Sequence, residues 1–299
     1  MPPITPCIWC DTNATEVAAF YTGLFADGAI QHTSHYAEGM PMPAGTVLLV
    51  EFTLAGQPFQ ALNGGKQLPL TPSLSFFVEA GTADAIAPLF GALAEGGKVL
   101  MPLDAYPWSP CYAWVQDRFG VSWQLRLVED APAGPRIVPS LMFSDARQGQ
   151  AGAALAHYTS LFPDSAVLHV DRPGGTAEGP ITYARLRLSG QPFVVMDSPV
   201  DHGFTFTDGL SLSVICPDQA EVDRLWEALT AGGQPGPCGW LTDRFGVSWQ
   251  IVPEALVALQ RRGDAVADGR MFQAMMAMGK LEVAALVAAW HAGAPTAGG

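Results

Sequence analysis

The chain repeats itself, and an internal repeat of this length leaves few architectures open. Asp117-Arg118-Phe119-Gly120-Val121-Ser122-Trp123-Gln124-Leu125 returns as Asp243-Arg244-Phe245-Gly246-Val247-Ser248-Trp249-Gln250-Ile251, with eight of nine positions identical. Gly56-Gln57-Pro58-Phe59 returns as Gly190-Gln191-Pro192-Phe193, and the stretch from Tyr21 to Asp27 as Tyr158 to Asp164. Leu74-Ser75 and Gly96-Gly97 match Leu210-Ser211 and Gly232-Gly233 in the same order. A tandem duplication over residues 1–130 and 136–253 follows, joined by the linker Asp130-Ala131-Pro132-Ala133-Gly134-Pro135, rich in Pro and small residues.

Each half is doubled again. Gly56-Gln57-Pro58-Phe59-Gln60-Ala61 and Gly120-Val121-Ser122-Trp123-Gln124-Leu125 share the pattern Gly-x-x-aromatic-Gln-apolar. Both close a unit that reads strand, helix, then strands. Residues 4–10 are an apolar run of strand length, and Asp11, Thr12 and Asn13 offer helix caps. Val17, Phe20, Tyr21 and Leu24 then mark one helical face. Strands are expected over 46–54, 58–62 and 74–78. Ile86, Leu89, Phe90 and Leu93 form a second helical face, in which Pro88 should kink the helix or start it late. Strands 112–115 and 121–127 close the half, joined by the Asp-Arg-Phe-Gly turn, whose Asp117-Arg118 and Asp243-Arg244 pairs read as exposed structural pairs.

The halves differ in one place. Gly97 to Asp117 spans twenty positions and Gly233 to Asp243 only ten. The extra stretch, Asp104 to Cys111, is rich in aromatics and proline and predicts an ordered loop. Such a loop either covers a ligand site or caps a barrel end. Beyond the repeat, residues 254–262, 271–278 and 281–290 look helical. Their Met271, Met275, Met276 and Met278 serve as packing filler or as a greasy surface.

Composition narrows the function classes. Lys and Arg number 15 against 28 Asp and Glu, a net charge of −13 that repels phosphate backbones and anionic membranes. No apolar run approaches a membrane span, and the start, Met1-Pro2-Pro3-Ile4-Thr5-Pro6, lacks the basic end and apolar stretch of a secretion signal. Five unevenly spaced cysteines fit reduced thiols, so a cytoplasmic location is expected. Cys7 and Cys10, three apart on a strand, face opposite ways and cannot share a zinc ion. No cationic neighbour that would activate Cys238 can be read from the sequence.

The doubled strand–helix–strand–strand–strand units, each half ending in Asp-x-x-Gly-x-x-aromatic-polar-apolar, resemble the vicinal oxygen chelate superfamily of glyoxalase I, bleomycin-resistance proteins and extradiol dioxygenases. The segments from Gly56 to Gly65 and from Cys238 to Pro253 are similar to its PhnB-like branch, often labelled 3-demethylubiquinone-9 3-methyltransferase. No Gly-x-Gly-x-x-Gly loop follows a strand, so nothing supports a methyl-donor nucleotide site. The resemblance implies an α+β chain of two tandem domains, 1–130 and 136–253, each of paired units, with a helical tail over 254–299. It also implies an internal pseudo-dimer, hence a monomer or weak homodimer.

In that superfamily a divalent metal is held by His, Glu or Gln on the first and last strands of each unit. Here the expected first strands, 4–10, 74–78, 137–143 and 210–215, contain no His, Asp or Glu. The last-strand positions hold Gln124 and Gln250, with Gln60 and Val194 at the inner equivalents, and neutral amides are weak metal ligands. No metal and no cofactor are therefore expected. The leading function is a small-molecule-binding protein. The alternative is a metal-dependent lyase, isomerase or dioxygenase of the glyoxalase type, with the glutamines and a histidine as ligands. Ligand-binding candidates are His32 and His169, at matching places in the second strand of each half, with Phe59, Gln60, Asn63, Trp108, Trp123, Gln124, Phe193, Trp249 and Gln250. The aromatics among them, like Trp114 and Trp240, either stack on a flat ligand or form plain core.

Overall fold

The computed structural model of the chain describes residues 3–66, 68–129 and 134–293. Residues 130–133 of the expected linker lie outside the described residues. Unit one comprises β1 (Thr5–Cys10), α1 (Ala14–Leu24), β2 (Ala29–His35), β3 (Val47–Leu54) and β4 (Gln57–Asn63). Unit two comprises β5 (Leu74–Ala80), α2 (Ala83–Ala94), β6 (Lys98–Tyr106), β7 (Ser109–Gln116) and β8 (Ser122–Leu127). Unit three repeats the order with β9 (Arg136–Phe143), α3 (Ala151–Leu161), β10 (Ala166–Asp171), β11 (Tyr183–Leu188) and β12 (Gln191–Asp197). Unit four has β13 (Leu210–Cys216), α4 (Gln219–Thr230), β14 (Gln234–Pro235), β15 (Trp240–Thr242) and β16 (Ser248–Pro253). The tail is α5 (Glu254–Gln260), α6 (Ala265–Met276) and α7 (Val283–His291). No helix among the described residues is long and apolar enough to cross a membrane.

The units pair across the repeat. The first eight-stranded sheet runs β14-β15-β16-β13-β1-β4-β3-β2 and joins unit one to unit four. The second runs β10-β11-β12-β9-β5-β8-β7-β6 and joins unit two to unit three. The seams are antiparallel: Cys7 lies opposite Ser211, and Ser75 opposite Ser140. Register confirms the duplication, since Trp123 and Gln124 pair with Phe76 and Phe77 while Trp249 and Gln250 pair with Leu212 and Ser213.

One face of each sheet carries helices and joins a common core. Phe59 of the first sheet meets Phe76 of the second at 5.0 Å between ring centres, and both approach Trp123. The Asp-Arg-Phe-Gly turns anchor this core, and their aspartates are buried rather than exposed. Asp117 accepts from the Tyr21 hydroxyl (2.6 Å), Trp123 Nε1 (2.8 Å) and the amides of Phe119 and Val121. Asp243 repeats the set with Tyr158, Trp249, Phe245 and Val247. Burial pushes both carboxyls above the ordinary range, and these hydrogen bonds oppose it. Gly120 and Gly246 close the turns at φ of 90° and 91°, a conformation that suits glycine.

Local expectations are corrected in four places. α1 takes its cap from Asn63 Oδ1, which accepts from the Ala14 amide at 2.9 Å, rather than from the side chain of Asn13. α2 begins at Ala83 with Thr82 as its cap and runs through Pro88, so the helix does not start late. The extra residues of the first half extend a β-hairpin, β6–β7, instead of forming a loop. β5 continues to Ala80, so it contains Glu79, a carboxylate on a first strand where none was expected.

Candidate functional site

Alternation along the strands points the remaining side chains away from the core. On the first sheet they face a cavity of about 700 Å³, roofed by the tail. Neighbouring strands set a polar row across its floor. His32 of β2 lies opposite Glu51 of β3, Glu51 opposite Gln60 of β4, and Gln60 opposite Cys7 of β1. Ser211 of β13 is opposite Cys7, and its hydroxyl accepts from Gln250 Nε2 of β16 at 2.9 Å. Burial pushes the Cys7 thiol up to about 12, although Gln250 and Ser211 hydrogen-bond to it. It is therefore a protonated thiol buried beneath the floor and not a nucleophile.

The walls are apolar. Trp9 and Trp240 meet edge to face at 5.6 Å, and Trp9 Nε1 donates to the Lys66 carbonyl at 2.6 Å. Leu49, Leu62, Ile215 and Val252 rise from the strands, and Leu256, Phe272, Met275, Met276 and Leu281 descend from the tail. Arg261, at the end of α5, reaches Glu51 at 3.3 Å, tying the roof to the floor. Behind the cavity, Leu256, Leu259, Met271, Leu281 and Leu286 make a separate small core that fixes the tail. The turn before β15 also holds it, since the Cys238 and Gly239 amides donate to the carbonyls of Met278 and Gly279 at 2.8 and 2.7 Å.

Four candidate residues line this cavity: His32, Gln60, Asn63 and Gln250. Phe59, Trp123, Phe193 and Trp249 lie on the helix-bearing faces, fully buried in the common core. Gln124, Trp108 and His169 belong to the second sheet. Gln124 Nε2 donates to Ser75 Oγ at 2.9 Å, as Gln250 does to Ser211, and its Oε1 accepts from the Tyr112 hydroxyl. Trp108, at the tip of the β6–β7 hairpin, stacks on Tyr106 and is 63% exposed. His169 pairs with Asp171 at 2.8 Å on the sheet's edge strand.

The open face of the second sheet is filled from within. Phe77, Tyr112, Val138 and Val194 form a cluster with Tyr106, Trp114 and Tyr183 packed against it. Glu79, fully buried, receives Arg126, Arg136 and Arg185. Burial alone would raise its carboxyl, but the three guanidinium groups hold it below the ordinary range. Sequence reasoning missed Glu79, Glu51, Arg261 and Trp9. Glu51 alternates with apolar neighbours on β3 and was legible as an inward carboxylate, whereas nothing in the sequence places Arg261 over the sheet.

Among the described residues no three His, Cys, Asp or Glu side chains gather as a metal-holding group. The family model described as 3-demethylubiquinone-9 3-methyltransferase matches residues 2–126 and again 135–252. The Bacillus cereus PhnB protein, described as a 3-demethylubiquinone-9 3-methyltransferase, is 38% identical over 42% of this chain and all of its own, with a TM-score of 0.40. A Staphylococcus aureus protein is 35% identical over 42% of this chain and 97% of its own, with a TM-score of 0.18. Glyoxalase I from Zea mays aligns over 88% of this chain and 95% of its own at 13% identity, with a TM-score of 0.52, a likeness of fold. No curated protein matches. The two family matches cover both halves in the order the repeat requires, and the chain belongs to the PhnB-like 3-demethylubiquinone-9 3-methyltransferase domain family, as a tandem duplication with the glyoxalase-type fold.

Proposed function

We propose that the chain binds a small organic molecule with a flat, apolar body in the cavity between the first sheet and the tail. The observation that carries this reading is a volume of about 700 Å³ with aromatic and aliphatic walls and one polar row on its floor. Ligand pockets combine these features: apolar surface supplies affinity and a few fixed polar groups supply orientation. Trp9 and Trp240 offer ring faces and edges, while Glu51, Arg261 and Gln60 address polar atoms of the ligand.

The superfamily's divalent metal does not fit this floor. The polar groups lining the floor are His32, Glu51, Gln60, Ser213 and Gln250; Glu51 is already paired with Arg261, and one imidazole with neutral amides is a set too weak to replace the water around a hard cation. The cavity's groups suit binding or sequestration. The chain acts as a monomer or weak homodimer, because the two sheets already join its halves.

The test is titration with N-phenyl-1-naphthylamine, a neutral, flat, apolar fluorophore. Saturable binding of one probe per chain, with energy transfer from tryptophan, is expected. Ser213→Phe, which places a ring over the floor, should abolish it. Absence of saturable binding, or binding unchanged in Ser213→Phe, overturns the reading.

A further inference from the structure

The second sheet carries a cluster that the proposed ligand cavity does not use. Glu79 Oε1 accepts from Arg126 Nε (3.1 Å), from Arg126 Nη2 and from Arg185 Nη1 (3.0 Å). Its Oε2 accepts from Arg136 Nε (2.9 Å), from Arg136 Nη2 and from Arg185 Nη2 (3.2 Å). A carboxylate offers about four lone-pair sites, so this one is saturated. One negative charge faces three positive ones, and a local excess of two remains within a chain of net charge −13.

The three arginines are between 18% and 36% exposed, so water only partly screens their mutual repulsion. Each still has donors to spare. Arg126 Nη1, Arg136 Nη1 and Arg185 Nε have no acceptor among the described residues. Tyr183 accepts from Arg126 through its oxygen and keeps its own O–H to donate. The rings of Phe77 and Tyr183 hold the Arg126 guanidinium at 4.8 and 4.9 Å, which fixes its fork in place.

The fold does not need this cluster. In the first sheet the counterparts of Glu79, Arg126 and Arg185 are Ile215, Val252 and Glu51, and the same strands pair without it. We propose that the guanidinium cluster of Arg126, Arg136 and Arg185, with the Tyr183 hydroxyl, binds a small oxyanion, a phosphate or the carboxylate of an organic acid. Planar guanidinium forks match both groups, and an anion would neutralise the excess charge that Glu79 leaves.

Isothermal titration of the full chain with inorganic phosphate and with succinate, at ionic strength matched by chloride, tests this. Saturable binding of one anion per chain is expected for at least one of them. Phosphate alone binding identifies a phosphate-type ligand, succinate alone an organic acid, and both a general oxyanion site. Arg136→Gln leaves Glu79 two partners and should weaken binding about tenfold or more, the loss of a charged hydrogen-bond donor. Circular dichroism checks that this variant is folded, and Arg136→Lys, which keeps the charge without the fork, should weaken binding less. No saturable heat with either anion in the unmodified chain, or unchanged affinity in folded Arg136→Gln, overturns the proposal.

Discussion

The two open faces of this molecule share one framework and differ in what fills it. At matched strand positions the first sheet has Ser213, Ile215, Val252, Leu49 and Glu51, and the second has Phe77, Glu79, Arg126, Tyr183 and Arg185. The core-facing neighbours of these residues barely change: Trp249 and Trp123, Tyr158 and Tyr21, Asp243 and Asp117 keep the same bonds. Small and aliphatic side chains leave the first face hollow, and α5, α6 and Leu281 of the tail roof it. A phenylalanine and a carboxylate–guanidinium cluster occupy the second, and an extended hairpin flanks it. Duplication fixed the scaffold on one side of each sheet and left the other side free to diverge, which is how one fold comes to hold different sites.

The largest expected effect lies in the second face. Glu79→Ala strands three partly buried guanidinium groups and should destabilise the protein by about 3–5 kcal/mol, the usual cost of breaking a buried ion pair. Urea denaturation measures it, and a loss below about 1 kcal/mol would show that the cluster is solvated like a surface pair. Phe77→Ser, which gives the second face the residue of the first, should cost a similar amount for a different reason. It opens a cavity in a packed cluster, and Phe→Ala at such sites costs about 3–5 kcal/mol.

Tyr21→Phe and Tyr158→Phe compare the conserved sides. Each removes the donor to a buried aspartate and should cost about 1–3 kcal/mol. If the two cores are equivalent, their melts should shift by the same amount, and a marked difference would break the symmetry of the common core.

Acid separates the faces as well. Glu79 binds protons less readily folded than unfolded, so its contribution is present above the ordinary carboxylate range and is lost as pH falls through and below it. Asp117 and Asp243 have the opposite sign, because burial raises them. The comparison with Glu79→Gln isolates the first effect: the unmodified chain should lose stability more steeply between about pH 5 and pH 3. Parallel acid limbs for the two proteins would refute it. The smallest effect is expected at Arg261→Gln. Its ion pair with Glu51 is largely exposed on the arginine side, so the stability change should be about 0.2–1 kcal/mol. Apolar probe binding in the cavity should change more than stability does, since the pair ties roof to floor.

Sequence alone determined the duplication and its units, whereas the structure decided that Phe59, Trp123, Phe193 and Trp249 are core. A nine-residue segment with eight identities needs no coordinates to be recognised, and buried aromatics recur because each copy must bury the same face. Matching the copies also set Gln124 and Gln250 at equivalent places on their last strands. The element ends were less legible: Glu79 escaped notice because β5 ran two residues past its apolar stretch. An inward charge at a strand end looks like solvent-exposed polarity until its three partners arrive from other strands.

Tertiary structure decided the rest. Unit one pairs with unit four and unit two with unit three, an arrangement set by seam contacts such as Cys7 with Ser211 and Ser75 with Ser140, between residues far apart in the chain. That pairing puts Cys7 beside Ser211 and Gln250, and Glu79 beside Arg136 and Arg185. It also decided which face stays hollow, because only the short β14–β15 turn leaves room for the tail to dock through Cys238 and Gly239. Local propensity and periodicity act over a few residues and so are written in the sequence. The cavity and the charged cluster depend on which side chains meet across strands, and that is a property of the closed sheets alone.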